Sequence, residues 1–98
     1  MYKVVKSPLA KDNIKGIWHY SFNKWGESKA TEYLMQLNAK MQGLCKNPER
    51  GKSRDYIWQS YRSIRVNHHI IFYRLQGQEI DIIRVLHERM NAEKHLQN

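Results

Sequence analysis

Cysteine is almost missing from this sequence: Cys45 stands alone among 98 residues. One thiol excludes an intramolecular disulfide and any metal site built from several cysteines. Placed in a helix, it reads as a small buried residue. Acidic residues are also scarce. Nine carboxylates face 17 lysines and arginines, which leaves a formal charge of +8 and a pI near 9.8. Apart from Asp81, no carboxylate lies in an apolar run, so a hydrolase using paired carboxylates has no evident candidate. The charge balance points to an acidic partner: nucleic acid, a membrane surface or an acidic protein segment. Long hydrophobic runs are lacking, and none approaches the roughly 20 residues needed to cross a bilayer. Met1-Tyr2-Lys3 leads into a strand pattern rather than a leader peptide. A cytoplasmic protein with no membrane partner is expected. There are no repeats, linkers or low-complexity segments. With 41% hydrophobic residues, the chain reads as a single globular domain, 1–98, with one modest core.

The elements follow from spacing. Tyr2 to Lys6 is β-branched at its centre and predicts a strand. Ser7-Pro8 is a helix start, with a capping hydroxyl followed by a residue whose missing N–H is not needed there. Ala10, Ile14, Ile17, Trp18, Ser21 and Trp25 then recur at three and four, one face of a helix from Pro8 to Lys24. Gly26 stops that helix. Ala30, Tyr33, Leu34, Leu37, Met41 and Leu44 form the stripe of a second helix, Glu27 to Lys46, ended by Asn47-Pro48. The short connection makes the pair an antiparallel hairpin. Glu49 to Ser60 reads as a basic loop that Tyr56, Ile57 and Trp58 fold back onto a sheet. Ile64 and Val66 alternate with Ser63 and Arg65, a strand with one buried face. His69 to Tyr73 and Ile80 to Leu86 are nearly continuous apolar runs, as expected of central strands. Gln76-Gly77-Gln78 is the turn between them. A helical turn is expected near Asn91 to His95. The fold class is α+β, in the order β-α-α-β-β-β(-α): an antiparallel sheet with a helical hairpin on one face. The strand after the hairpin should run opposite to the first.

Chemistry is sparse. Gly51-Lys52-Ser53 is not a phosphate loop, because the glycine required five positions earlier is Lys46. His68 and His69 are adjacent, so in a strand their rings face opposite sides, which argues against a shared metal. No metal or cofactor is expected. The basic set Arg62, Arg65, Arg84, His87 and Arg89 lies on or beside neighbouring strands. Alternation places Arg62 opposite Arg65, and Arg84 opposite His87, so the set divides into two groups. Several arginines and a histidine can stabilise a phosphoryl transition state and move a proton. A solvated basic face that binds an acidic partner explains the same residues.

The element order carries a resemblance, together with Trp25-Gly26, Ala30, Tyr33-Leu34, the run Asn47 to Ser53, Tyr61-Arg62, His69 to Tyr73 and Ile82 to Met90. Over nearly its whole length the chain resembles the ParE branch of the RelE/ParE toxin superfamily of type II toxin–antitoxin modules. The resemblance implies a growth-inhibiting bacterial toxin that acts on DNA gyrase by protein–protein contact, with no catalytic residues. It implies neutralisation by a ParD-like antitoxin, and contact with DNA only through that antitoxin. Target contacts are expected at Arg62, Arg65, Arg84, His87, Arg89 and Met90. Antitoxin contacts are expected at Ile14, Trp18, Trp25, Tyr33, Leu37 and Met41. RelE-like relatives are instead ribosome-dependent mRNA endonucleases, which here would use Arg62, Arg65, Arg84 and His87. His87 matches the family's histidine, but Glu88 follows it where the nucleases often carry tyrosine, and a carboxylate there repels RNA phosphate.

Overall fold

The computed structural model describes residues 2–96. Strand β1 (Lys3–Lys6) leads into helix α1 (Pro8–Trp25), and helix α2 (Glu27–Gly43) follows. The Ser7 hydroxyl caps α1 by accepting the Ala10 N–H at 3.0 Å. Ala10 and Ser21 are buried on its inner face, and Ile14 and Ile17 pack against the core. Trp25, expected to end that stripe, is 54% exposed. It is the last helical residue, and its ring lies beside Tyr20 and under the Lys24 ammonium instead of in the core. Gly26 alone connects the helices, at φ 94° and ψ 175°, a conformation in which a side chain is strained. The inner face of α2 buries Ala30, Leu37 and Met41. The helix ends at Gly43, short of the expected Lys46, and residues 44–46 continue as turns. Cys45 therefore lies beyond the helix and is half-buried.

The sheet has five strands in the order β1-β5-β4-β3-β2, adding β2 (Lys52–Ser53), β3 (Tyr61–Val66), β4 (His69–Gln76) and β5 (Glu79–His87). It is antiparallel except at one place: β1 pairs with β5 in parallel. The short β2, inside the stretch expected to be loop, supplies an additional reversal. That reversal corrects the expected direction: β2 runs opposite to β1, so β3, the strand expected after the hairpin and expected to oppose β1, runs with it. Gly77, at φ 61°, occupies the two-residue β4–β5 turn.

Both faces of the sheet are covered. The hairpin face buries Ile64, Val66, Ile71, Tyr73, Ile80, Ile82 and Val85 against α1 and α2. The outer face buries Tyr61, Phe72 and Leu86 beneath Ile57 from the loop and Leu96 from helix α3 (Ala92–Leu96). That second cover buries Ser63 as well, so β3 has two buried faces, not the one its alternation suggests. Only Ile57 of the three loop hydrophobics is buried; Tyr56 and Trp58 remain 66% and 44% exposed.

Strand β5 holds the layers together. A bulge at Ile83 puts Phe72 opposite Arg84 but Tyr73 opposite Ile82. Because β1 covers β5 only as far as Ile82, the rest of that edge needs other partners. Helix α1 supplies them. Ser7 N–H donates to the Ile82 carbonyl at 3.0 Å, and its hydroxyl donates to the Ile83 carbonyl at 2.7 Å. The Asn13 amide oxygen accepts the Val85 N–H at 3.2 Å and Arg84 Nε–H at 2.8 Å. On the hairpin face of the central strand β4, the buried Tyr73 hydroxyl donates to the Pro48 carbonyl at 2.7 Å and accepts the Gly51 N–H at 2.8 Å, pinning the loop after α2.

Two substitutions test these joints. A Cβ at Gly26 meets nothing within 4 Å, so Gly26→Ala isolates backbone strain. It should lower stability by about 1–3 kcal/mol in urea unfolding. Tyr73→Phe removes both loop bonds and should lose about 1–3 kcal/mol, since the Gly51 N–H is left without that acceptor. Wild-type unfolding midpoints in either variant would contradict the assignments.

Candidate functional site

The expected target-contact residues do not form one cluster. Arg62 lies on the hairpin side of β3. Its guanidinium donates to the Glu49 and Gly51 carbonyls at 3.1 and 2.8 Å, so it braces the loop after α2. Arg84 is on the other side, where it holds Asn13 and donates to the His95 carbonyl at 3.3 Å, joining α1 to α3. Both guanidiniums are committed to the fold. The division that strand alternation predicts is therefore present, but with these two arginines as internal braces.

Arg65, His87, Arg89 and Met90 gather where the β3–β4 turn meets the end of β5. His68 and His69 are not on opposite sides of one strand. Asn67, at φ 53°, and His68 form the turn, and the strand begins at His69. The turn stacks the His68 ring 6.3 Å from His87, and the His69 ring meets His87 edge-on at 5.3 Å. Among the described residues, no group of three His, Cys, Asp or Glu is placed to hold a metal ion. His69 Nδ1 lies 2.7 Å from the Tyr33 hydroxyl, which donates to the Val66 carbonyl at 3.0 Å. Burial lowers the His69 pKa, and the neighbouring His87 and His68 lower it further. A neutral His69 with its proton on Nδ1 satisfies both bonds. His87 Nδ1 accepts the Arg89 N–H at 3.1 Å, which puts the proton of a neutral His87 on Nε2.

Glu88 organises this end of the sheet. One carboxylate oxygen takes an Arg65 guanidinium hydrogen, and the other lies 2.6 Å from His68 Nδ1. The hydrogen bonds from Arg65 and His68 hold its pKa at about 2, against an ordinary 4.5. The sequence showed Glu88 as a repulsive charge but not its partners. The available signal was opposite charge at the ends of two strands that share a neighbour.

On the hairpin, Ile14, Leu37 and Met41 do come together. They line a groove of about 330 Å³ with Leu34, Met35, Thr31, Asn38 and Lys6. Leu37 and Met41 form its buried floor, whereas Met35 is 67% exposed at its rim. The other expected antitoxin-contact residues lie elsewhere. Tyr33 turns toward His69, Trp18 stacks on Phe22, and Trp25 lies at the hairpin tip. Leu34 belongs to the expected α2 stripe, whereas Met35 lies outside it and went unread.

This helical hairpin on a five-stranded sheet is the fold of toxin subunits from bacterial toxin–antitoxin complexes. The chromosomal ParDE system of P. aeruginosa superimposes with a TM-score of 0.77 at 18% identity, over 89% of this chain and 96% of that one. The YoeB–YefM toxin–antitoxin complex of Staphylococcus aureus superimposes with a TM-score of 0.56 at 20% identity, over 86% and 93%. Residues 4–92 match the family described as ParE toxin of type II toxin-antitoxin system, parDE. Toxin ParE1 of Mycobacterium tuberculosis is 35% identical over 91 residues, 92% of this chain and 93% of that protein. Toxin ParE1 of Caulobacter vibrioides is 37% identical over 90 residues, with the same coverage. The chain belongs to the ParE toxin family. Among its described residues, no helix is long and apolar enough to cross a membrane.

The Glu88 contacts make a measurable expectation. Its depressed pKa means that its contribution to stability is complete above about 4.5 and is lost as pH falls through about 2. Carboxyl NMR should give a Glu88 midpoint near 2, moving toward 4.5 in Arg65→Ala. An identical midpoint in that variant would refute the pairing.

Proposed function

We propose that this ParE-type toxin stops growth by binding DNA gyrase without catalysing a reaction, and that a ParD-like antitoxin restrains it in the cytoplasm. The observation that carries the non-enzymatic reading is the double engagement of Glu88. The carboxylate occupies Arg65 and His68 at the place where RNA cleavage needs cations facing a phosphate. Arg62 and Arg84, the other candidates for such a site, are spent on backbone carbonyls and on Asn13. Arg89 and Met90 are exposed beside this cluster and are available to a protein partner. Purified toxin should inhibit gyrase supercoiling or trap its cleavage complex. No effect at excess toxin, with codon-positioned cuts in mRNA on translating ribosomes, would replace this reading with an endonuclease.

The antitoxin segment fits the hairpin groove. Ile14, Leu34, Leu37 and Met41 offer an apolar floor, and Lys6 a cation at the rim. An amphipathic, acidic segment that folds on binding meets both features, and the +8 charge speeds its encounter. Operator DNA is then contacted by the antitoxin. Met35→Asp changes an exposed rim residue, so the toxin should remain folded while its antitoxin affinity falls about tenfold or more, the scale of one lost apolar anchor. Unchanged affinity by calorimetry would move the antitoxin elsewhere.

A further inference from the structure

The loop between β2 and β3 is built in a way that covering a core does not require. Ile57 is its buried anchor, at 4% exposure, yet Tyr56 and Trp58 on either side stand 66% and 44% exposed. The loop is closely bonded. Asp55 accepts the Ser60 N–H at 2.8 Å and the Ser53 hydroxyl at 3.1 Å. The Ile57 and Trp58 N–H groups return to the Arg54 carbonyl at 2.9 and 3.2 Å. Ser60 is held at φ 71°, in the left-handed region that favours glycine. Strain retained at a serine, in a loop that keeps two large rings in water, is the pattern of a recognition surface.

Two cations stand beside these rings. Lys52 pairs with Ser63 in the sheet register, so both side chains point to the outer face. Arg54 lies two residues further along the same edge, opposite Tyr61. Its Nε–H donates to the Ser63 hydroxyl at 2.7 Å, and its Nη1 donates to the Tyr56 hydroxyl at 3.3 Å. The local carboxylate, Asp55, is occupied by its own loop. The result is two neighbouring cations, Lys52 and Arg54, with two aromatic side chains beside them, while Arg65 further along is held by Glu88.

We propose that this surface binds single-stranded nucleic acid, with bases stacked on Trp58 and Tyr56 and the phosphates running past Arg54 and Lys52. Cations beside exposed aromatic rings suit a strand whose bases are unpaired. A duplex hides its base faces, and an acidic peptide meets the cations but leaves the rings unused. The inference concerns an unpaired strand and does not depend on gyrase being the target.

The test is fluorescence anisotropy of end-labelled oligothymidine and oligouridine of about 12 nucleotides, within the footprint of known single-strand binders. The purified chain is titrated at several salt concentrations. Affinity should fall with salt as phosphate counterions are released. The Tyr56→Ala/Trp58→Ala variant should bind at least about tenfold more weakly, as expected for lost base stacking. A duplex of equal length should compete less well than the single strand. The two oligomers separate DNA from RNA as the source. Retained affinity in the double variant, or equal competition by duplex, would reduce the surface to diffuse charge and overturn the proposal. Equal competition by polyglutamate, with the same dependence on the two rings, would assign the surface to an acidic protein. Antitoxin binding and gyrase inhibition, measured on the same variant, report the other functional reading separately.

Discussion

The free edge of β5 is the constraint on which the rest of this molecule depends. Beyond Ile82 the strand has no neighbour in β1, and its backbone groups need partners. Ser7 and Asn13 provide them from the first turns of α1. The same Asn13 oxygen positions Arg84, which reaches α3 on the other side. Hairpin, sheet and terminal helix are thus joined through one short stretch of one strand. The bulge at Ile83 belongs to this joint, because it sits where edge pairing passes from strand to helix.

That joint explains why the basic residues are less available than their number suggests. Of the arginines that sequence reasoning grouped as a site, Arg62 and Arg84 hold loops and helices in place, and Arg65 shares Glu88 with His68. A guanidinium with several donors is well suited to bracing carbonyls that no strand reaches. A basic composition can therefore mark both an architectural device and a binding face, and the two are told apart by what each side chain touches.

Much of the fold was legible in the chain. Ser7-Pro8, Gly26 and the apolar stripes give the hairpin, and the two long β-branched runs give the central strands, because local propensity and burial agree there. The misreadings have physical causes. Trp25 has the right spacing for the stripe but lies where the helix has ended. Ser63 looks exposed by alternation and is buried because α3 and Ile57 cover the outer face, a long-range fact that no local period encodes. His68 and His69 were placed in one strand because the strand's start could not be located to the residue. Asn13, which accepts from both Val85 and Arg84, leaves no trace in a hydrophobic pattern. The groove was read in part: Ile14, Leu34, Leu37 and Met41 follow from the stripes, while Met35 lies outside the stripe and lines the groove only because of how the helices approach. The separation of Arg62 from Arg65 was accessible from strand period alone.

The parallel pairing of β1 with β5 also bears on assembly order. Lys3 to Lys6 are made well before their partners, Glu79 to Ile82, and Ser7 waits for Ile83, 76 residues further on. Loop closure over that span is entropically costly and slow compared with formation of the hairpin, whose contacts are local. During synthesis the two helices can meet early, whereas the sheet beneath them closes only once its final strand has emerged. The helical side of the toxin's groove therefore precedes the sheet face in time, and the surfaces built on β3 to β5 form after it.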